Sequence, residues 1–179
     1  MTVETVFEEI KTLFGRHGHE TYGEGLTITE HSLQAAALAL AESADDALVV
    51  AALLHDIGHF LELRDDRFGY HKHDRSGGEW LASRLPASVS EPVRLHVAAK
   101  RYLCAVEPDY FGCLSEASKH SLTMQGGPMT ADEADVFARQ QFVERAVRLR
   151  RWDDRGKVEG TEVPSLDTYQ ARIESLAVK

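Results

Sequence analysis

The feature that most constrains the fold is an apolar run, ALVVAALL, at positions 47–54. Asp45 or Asp46 can cap the start of a helix here, and that helix would carry apolar residues on every side. A helix without a polar face is stable only where other elements cover it completely. The run therefore predicts a central, buried helix, which Gly58 should end just after His55 and Asp56.

Helical spacing recurs through the rest of the chain, and no alternation typical of strands persists. Apolar residues return every three or four positions from Val3 to Phe14, and Thr130 with Glu133 matches a capping box. Further helices are predicted to begin near Thr29 and at 90–92. Others are predicted to cover 73–85, before Pro86, and then 115–122, 130–152 and 165–176. We therefore predict an all-α helical bundle, a single domain over 1–179 with its metal-binding core at about 29–155 and a helical tail at 156–179.

Charge and composition argue against two classes of partner. The net charge is −9, so the overall field attracts neither nucleic acid nor an anionic membrane. No apolar run approaches the length of a membrane span, and the N-terminal segment carries acids where a secretory signal carries bases. Cys104 and Cys113 form no metal-ligand pattern, and we expect reduced thiols in a cytoplasmic protein. The expected partner is a small molecule, and no partner protein is indicated.

The adjacent His55 and Asp56 offer a nitrogen and an oxygen ligand where the central helix ends. Taken alone, the pair also fits an ordinary helix C-terminus, where a histidine interacts favourably with the last carbonyls. Four further histidines or aspartates lie at predicted helix ends or on apolar helices, which favours a metal site. The full candidate ligand set is His31, His55, Asp56, His73, His96 and Asp153.

The order H…HD…H…H…D resembles the HD-domain superfamily over nearly the whole chain, and in particular its members with two metals. The resemblance implies that Asp56 bridges two ions. The first ion would be held by His31, His55, Asp56 and Asp153, and the second by Asp56, His73 and His96. The remaining histidines match nothing in this pattern and are interpreted as solvated or loop residues: His17, His19, His71 and His120.

Four stretches resemble a narrower group, the HD-domain mixed-valence di-iron oxygenases of phosphonate catabolism. They are EHSLQAA at 30–36, HVAAKRYL at 96–103, SEASKHSLTMQGGPM at 115–129 and RRWDDRGK at 150–157. The resemblance spans about residues 20–165. It implies two iron ions, Fe(II) and Fe(III), with O2 as co-substrate and a small hydroxyphosphonate as substrate. The expected reaction cleaves the C–P bond of 2-amino-1-hydroxyethylphosphonate to glycine and phosphate, or converts the trimethylammonium analogue to glycine betaine.

The same resemblance implies an anion-binding set for the phosphonate. Its members are His59, Lys100, Ser118, Ser121, Gln125 and Arg150. Helical geometry agrees, because Lys100 follows His96 by four residues and Arg150 precedes Asp153 by three, which places each beside a ligand. Taken singly, either cation also fits a solvated helix face. His59 and Lys100 are the expected catalytic residues.

A loop before the first ligand is expected to close over the metals in this family. Tyr22 and Glu24 are the candidates for its tyrosine and glutamate. Glu24 could pair with an ammonium group, while Tyr22, Tyr102 or Trp80 could face a quaternary nitrogen. The sequence leaves the identity of the amine open.

Two other functions fit an HD-type ligand set. The first is a metal-dependent phosphohydrolase acting on a nucleotide or small phosphoester, which is the common activity of HD proteins. The second is a catalytically inactive HD module that binds a ligand or partner. The complete ligand set argues against the inactive module, and the compact basic set favours a phosphonate over a nucleotide.

Overall fold

The computed structural model describes residues 4–21, 25–61 and 72–178. Within these ranges the chain is helical and contains no β-strand, the one isolated bridge joining Thr21 to Thr27. The α-helices are α1 Val6–His17, α2 Ile28–Ala41, α3 Asp46–Leu54, α4 Gly58–Leu61, α5 His73–Ala82, α6 Ala87–Val106, α7 Tyr110–Cys113, α8 Glu116–Met124, α9 Ala131–Phe137, α10 Val143–Arg155 and α11 Gln170–Leu176. The predicted all-α fold is confirmed.

Helix α3 is the centre of the bundle, as its apolar run predicts. Every residue from Leu48 to Leu54 is fully buried. Helices α2, α6, α10 and α11 pack around it. The Asp45 side chain accepts a hydrogen bond from the Leu48 amide at 2.9 Å and so caps the helix start. The last helical residue is Leu54, so His55 and Asp56 emerge directly from the core.

Gly58 has a different role from the predicted one. Helix α3 ends before it, and Gly58 is the first residue of the short helix α4. A Cβ atom built on Gly58 would lie 1.9 Å from the carbonyl oxygen of His73. Glycine is needed at this position because it allows the start of α5, which carries His73, to approach the segment after Asp56.

The long helix predicted over 130–152 is interrupted. Its capping box is present, since the Glu133 amide donates to Thr130 Oγ1 and the Glu133 carboxylate accepts from the Thr130 amide. The helix nevertheless ends at Phe137, and α10 begins after Phe142, which has a left-handed φ of 69°. The break gives α10 its own direction, in which it packs against α6 and α2.

Two further boundaries differ from the prediction. Helix α6 begins at Ala87 after Pro86, so Pro92 lies inside the helix rather than in its first turn. The last segment begins as a 3-10 turn over Leu166–Tyr169 before it becomes α11. None of the helices in the described ranges is both long and apolar enough to cross a bilayer.

Candidate metal centre

The six predicted metal ligands meet at one place in the bundle. They come from the first turns of α2, the end of α3, the first residue of α5, the middle of α6 and the last turn of α10. In that order they are His31, His55 with Asp56, His73, His96 and Asp153. All are buried except His73, whose side chain is 12% exposed. Residues far apart in sequence thus converge on a site closed on most sides.

One group of donor atoms surrounds the facing imidazoles of His31 and His55, whose Nε2 atoms are 3.0 Å apart. Asp56 Oδ2 lies 3.4 Å from His55 Nε2 and 3.7 Å from His31 Nε2. Asp153 contributes Oδ1 at 3.3 Å from His31 Nε2 and Oδ2 at 3.7 Å from His55 Nε2. These four side chains match the predicted first set.

A second group lies on the other side of Asp56. Its Oδ1 atom is 3.5 Å from His73 Nε2 and 3.8 Å from His96 Nε2, and these two nitrogens are 3.2 Å apart. His59 also reaches this group, with Nε2 at 3.9 Å from Asp56 Oδ1 and its ring stacked on that of His73 at 4.1 Å. The sequence placed His59 in the anion-binding set, and the structure places it within reach of the second group as well.

The two oxygens of Asp56 therefore face different groups, which is the arrangement of a bridging carboxylate. With ligand bonds of about 2.1 Å, neighbouring donors in an octahedral or tetrahedral shell lie about 3.0–3.4 Å apart. The separations in each group, 3.0–3.8 Å, are close to these values. The donor set fits two metal ions on either side of Asp56.

Three of the imidazoles have their proton position fixed by the backbone. The Nδ1 contacts are His31 to Gly156 O (2.9 Å), His55 to Ala52 O (2.8 Å) and His96 to Val93 O (2.6 Å). A carbonyl oxygen can only accept, so Nδ1 carries the proton and Nε2 presents a lone pair. The Nε2 lone pairs of His31 and His55 consequently face each other, and only a cation between them satisfies both.

Electrostatics favour the metal-binding protonation states of Asp56 and His96, and positive charge beside His31. Burial alone would raise the pKa of Asp56, but the surrounding histidines, His55 first, hold it well below its usual range. Burial lowers the pKa of His96 to about 4. Burial also lowers the pKa of His31, but Asp153 and Asp56 outweigh it and leave this pKa raised. The carboxylate is thus ionised, and the position beside His31 attracts positive charge.

A buried cationic side chain lies near the predicted ligands, between α6 and α8. Lys100 is buried, and its Nζ donates to Ser121 Oγ at 2.7 Å. Ser121 Oγ in turn donates to the backbone carbonyl of Ser118 at 3.1 Å. Burial, and then the charge of Arg150, lower the pKa of Lys100 to about 8. Of the predicted anion-binding residues, the structure joins the Lys100 and Ser121 side chains and the backbone carbonyl of Ser118 in one hydrogen-bonded set.

Arg150 is also buried here, but its guanidinium faces carboxylates. Its Nη1 donates to Asp153 Oδ2 at 2.7 Å, and its Nε donates to Asp154 Oδ1 at 3.1 Å. Tyr110 donates its hydroxyl proton to the other oxygen of Asp154. Burial lowers the pKa of Arg150, but Asp153 and Asp154 raise it well above its usual value. The side chain therefore orients Asp153, a predicted metal ligand, and remains charged.

Gln125 follows α8, and its Oε1 atom is buried without a hydrogen-bond partner among the described residues. Tyr22 and Glu24, the predicted loop residues, lie outside the described ranges. His71 also lies outside the described ranges. His19 and His120 are exposed, and His17 contacts Glu20, as expected of histidines outside the site.

Two aromatic residues considered for a quaternary nitrogen have other partners. The Trp80 ring lies under the guanidinium of Arg84, 4.0 Å from its centroid, and packs against the main core. Tyr102 packs against Phe137, with ring centroids 5.2 Å apart. Among the described residues neither of these contacts involves the ligand cluster, and helix spacing alone did not predict which neighbour each ring would meet.

Lys157 was not predicted from the sequence, but it lies beside Ser118 and Asp153. Its Nζ donates to Ser118 Oγ at 3.0 Å and lies 3.7 Å from Asp153 Oδ1. Lys157 follows Asp153 by four residues, a spacing that would place the two side chains together on a helix. Helix α10 ends at Arg155, before Lys157, so this spacing alone did not predict the contact.

Substitution of Asp56 tests the bridging geometry. Because its two oxygens serve both donor groups, Asp56→Ala should reduce bound metal from about two ions per chain to about one or fewer. Elemental analysis of purified protein gives the ratio. Asp132→Ala, at an exposed position in α9, is the matched control and should retain the wild-type ratio. Two ions per chain in Asp56→Ala would contradict the bridge.

Comparison with known proteins agrees with this geometry. The sequence matches the HD domain family over residues 28–102. It is 44% identical to hydroxymethylphosphonate dioxygenase of Gimesia maris, over 96% of this chain and 90% of that protein. It is 39% identical to the glycine-betaine-forming [1-hydroxy-2-(trimethylamino)ethyl]phosphonate dioxygenase of Leisingera caerulea, over 97% of this chain and 91% of that protein. An uncharacterized protein of Acanthamoeba polyphaga mimivirus is 29% identical, over 94% of this chain and 81% of that protein. The chain belongs to the HD-domain family of phosphonate dioxygenases and is an oxygenase.

Proposed function

We propose that the protein uses two iron ions and O2 to cleave the C–P bond of a small 1-hydroxyphosphonate. The observation that carries the proposal is the division of the Asp56 oxygens between two imidazole groups, beside the pocket of Lys100. Both dioxygenase relatives act, by their names, on phosphonates that carry a hydroxyl or hydroxymethyl group. They favour the oxygenase over the phosphohydrolase considered from the sequence.

Imidazole and carboxylate ligands suit iron, and bound iron would supply the redox chemistry with O2. The proposed ligands are the four side chains His31, His55, Asp56 and Asp153 for one ion, and Asp56, His73 and His96 for the other. In the reaction, the C–P and one C–H bond of the substrate break, and new C–O and P–O bonds form. The products are a carboxylate and phosphate, and O2 accepts the four electrons released.

The phosphonate is proposed to lie against Lys100, Ser118 and Ser121. An ammonium group and hydroxyls supply the hydrogen bonds that a dianion requires when it leaves water. Gln125 Oε1 is a buried acceptor that a donor on the substrate can satisfy. Arg150 completes the set from behind Asp153, because its contacts hold that carboxylate in place.

His59 is proposed to face the substrate from the open side of the site. Its side chain is 25% exposed, compared with 6% for Asp56. The ring is held by stacking on His73, so its Nε2 remains near Asp56 Oδ1. A partly exposed imidazole at this position can hold a proton for a substrate oxygen, and we assign His59 that role.

The substituent on the hydroxylated carbon sets the substrate preference. Three candidates share the hydroxyphosphonate head group: hydroxymethylphosphonate, 2-amino-1-hydroxyethylphosphonate and its trimethylammonium analogue. We propose that Tyr22 and Glu24 contact an amine where one is present, since Trp80 and Tyr102 are engaged elsewhere. A cytoplasmic location is part of the same proposal and agrees with the two free thiols.

Oxygen dependence tests the proposed activity. Purified iron-loaded protein should release no phosphate from any of the three phosphonates under strict anaerobiosis, and addition of O2 should start turnover. With 18O2, label should appear in the carboxylate or phosphate product. Methylphosphonate, which lacks the hydroxyl group, is the control and should not be consumed. Oxygen-independent hydrolysis of nucleotide phosphates, with no activity on the phosphonates, would contradict the proposal.

The pH dependence of phosphonate binding tests the role of Lys100. A bound dianion requires the ammonium form, and the pKa of Lys100 is about 8 in the free protein. Affinity should therefore fall as the pH rises above about 8, whereas Lys100→Arg should retain its affinity there because arginine stays charged. Anaerobic titration calorimetry with hydroxymethylphosphonate measures this, with Lys119→Arg, at a lysine paired with Glu116 on α8, as control. A dissociation constant in the wild type that stays level up to about pH 10 would exclude Lys100.

A further inference from the structure

The Asp153 carboxylate shares its charge between the metal position and buried cations. Its Oδ2 atom lies 3.7 Å from His55 Nε2 and accepts from Arg150 Nη1 at 2.7 Å. Lys157 Nζ lies 3.7 Å from Oδ1. A cation beside a ligand carboxylate attracts charge that the carboxylate would otherwise offer to a metal ion, so outer partners of this kind tune the ligand. The strength of Asp153 as a ligand therefore depends on how much of the Arg150 charge it receives.

Asp154 competes with Asp153 for the same guanidinium. Arg150 Nε donates to Asp154 Oδ1 at 3.1 Å, and its Nη2 donates to the same oxygen. Arg150 thus lies between two carboxylates, one of which is a predicted metal ligand while the other is not. The three side chains are only 4%, 7% and 13% exposed, so water and salt screen their interactions weakly. A change at Asp154 is therefore transmitted through Arg150 to Asp153.

Tyr110 satisfies the far side of Asp154. Its hydroxyl group donates to Asp154 Oδ2. Burial raises the pKa of the Tyr110 phenol, so the phenol keeps its proton and remains a donor. Its ring is buried at the start of α7 in an apolar cluster with Leu103, Leu114 and Leu122. A donor to Asp154 stabilises the charge of that carboxylate and so weakens its attraction for Arg150.

We infer that Asp154 and Tyr110 are positioning residues that divide the charge of Arg150 and thereby set the strength of Asp153 as a metal ligand. Without the Asp154 charge, Arg150 interacts with Asp153 alone, and Asp153 binds its metal ion less strongly. Without the Tyr110 hydroxyl group, Asp154 attracts Arg150 more strongly, and Asp153 binds its ion more strongly. The inference rests on the proposed function for iron as the metal, but another divalent ion tests the ligand strength independently of turnover.

The first experiment measures Co(II) binding to the whole chain after removal of its metal, by competition with a chelator. Asp154→Asn retains the size of the side chain and should weaken binding of one ion by about tenfold to a hundredfold, the usual scale for an outer partner of a ligand. Tyr110→Phe retains the ring and should tighten binding of that ion, by up to about tenfold, the scale of one neutral hydrogen bond.

Two matched controls should bind Co(II) as the wild type does. Asp132→Asn removes a carboxylate at an exposed position in α9. Tyr169→Phe removes a buried phenol hydroxyl group that has no hydrogen-bond partner among the described residues.

The second experiment is a redox titration of iron-loaded protein followed by electron paramagnetic resonance. A weaker carboxylate ligand favours Fe(II), so Asp154→Asn should raise the reduction potential of the ion that Asp153 holds, and Tyr110→Phe should lower it. A tenfold change in the ratio of Fe(II) to Fe(III) corresponds to about 59 mV for one electron. Structural damage alone would not shift the potential in opposite directions in the two variants.

The outcomes separate this inference from the proposed function. Wild-type Co(II) affinity in Asp154→Asn would overturn the inference, and so would weaker binding in both variants, because loss of packing would then explain the change. If Asp154→Asn does not fold, the direction of the change in Tyr110→Phe decides. Opposite changes in the two variants of a protein that consumes no hydroxyphosphonate with O2 would support the inference and refute the proposed function alone.

Discussion

The site depends on one buried carboxylate, that of Asp56, placed between two groups of imidazoles. An ionised carboxylate in a protein interior is costly unless it is surrounded by positive charge or hydrogen-bond donors. Here five neighbouring Nε2 atoms, that of His59 included, divide between its two oxygens. Metal ions in these positions would satisfy the carboxylate and the imidazole lone pairs together. The buried polar groups and the metal ions would therefore stabilise one another.

The surrounding fold serves this arrangement through backbone groups. The apolar helix α3 ends at the site and delivers His55 and Asp56 from the core. Gly58 lets the start of α5 approach, and the Gly156 carbonyl orients His31 from the far end of α10. These contacts fix the ring orientations without using the metal-facing nitrogens, which is how outer contacts commonly tune metal ligands.

Much of this could be predicted from sequence because it depends on spacing and residue type. The central helix follows from a run without a polar face, and the candidate ligands follow from histidines and aspartates at helix ends or on apolar helices. The break before α10 could not be predicted, since it rests on a left-handed φ at Phe142, a residue that seldom adopts it. Lys157 was missed because its position is set by Gln34, which lies more than a hundred residues earlier.

The central claim is that Asp56 bridges two iron ions, and electron paramagnetic resonance tests it most directly. Iron-loaded protein reduced by one electron per pair should show the signal of an antiferromagnetically coupled Fe(II)/Fe(III) centre, because a shared carboxylate couples the two spins. Integration should approach one coupled centre per chain in fully loaded protein. A spectrum of isolated high-spin Fe(III), unchanged when iron loading rises from one to two ions per chain, would contradict the bridge.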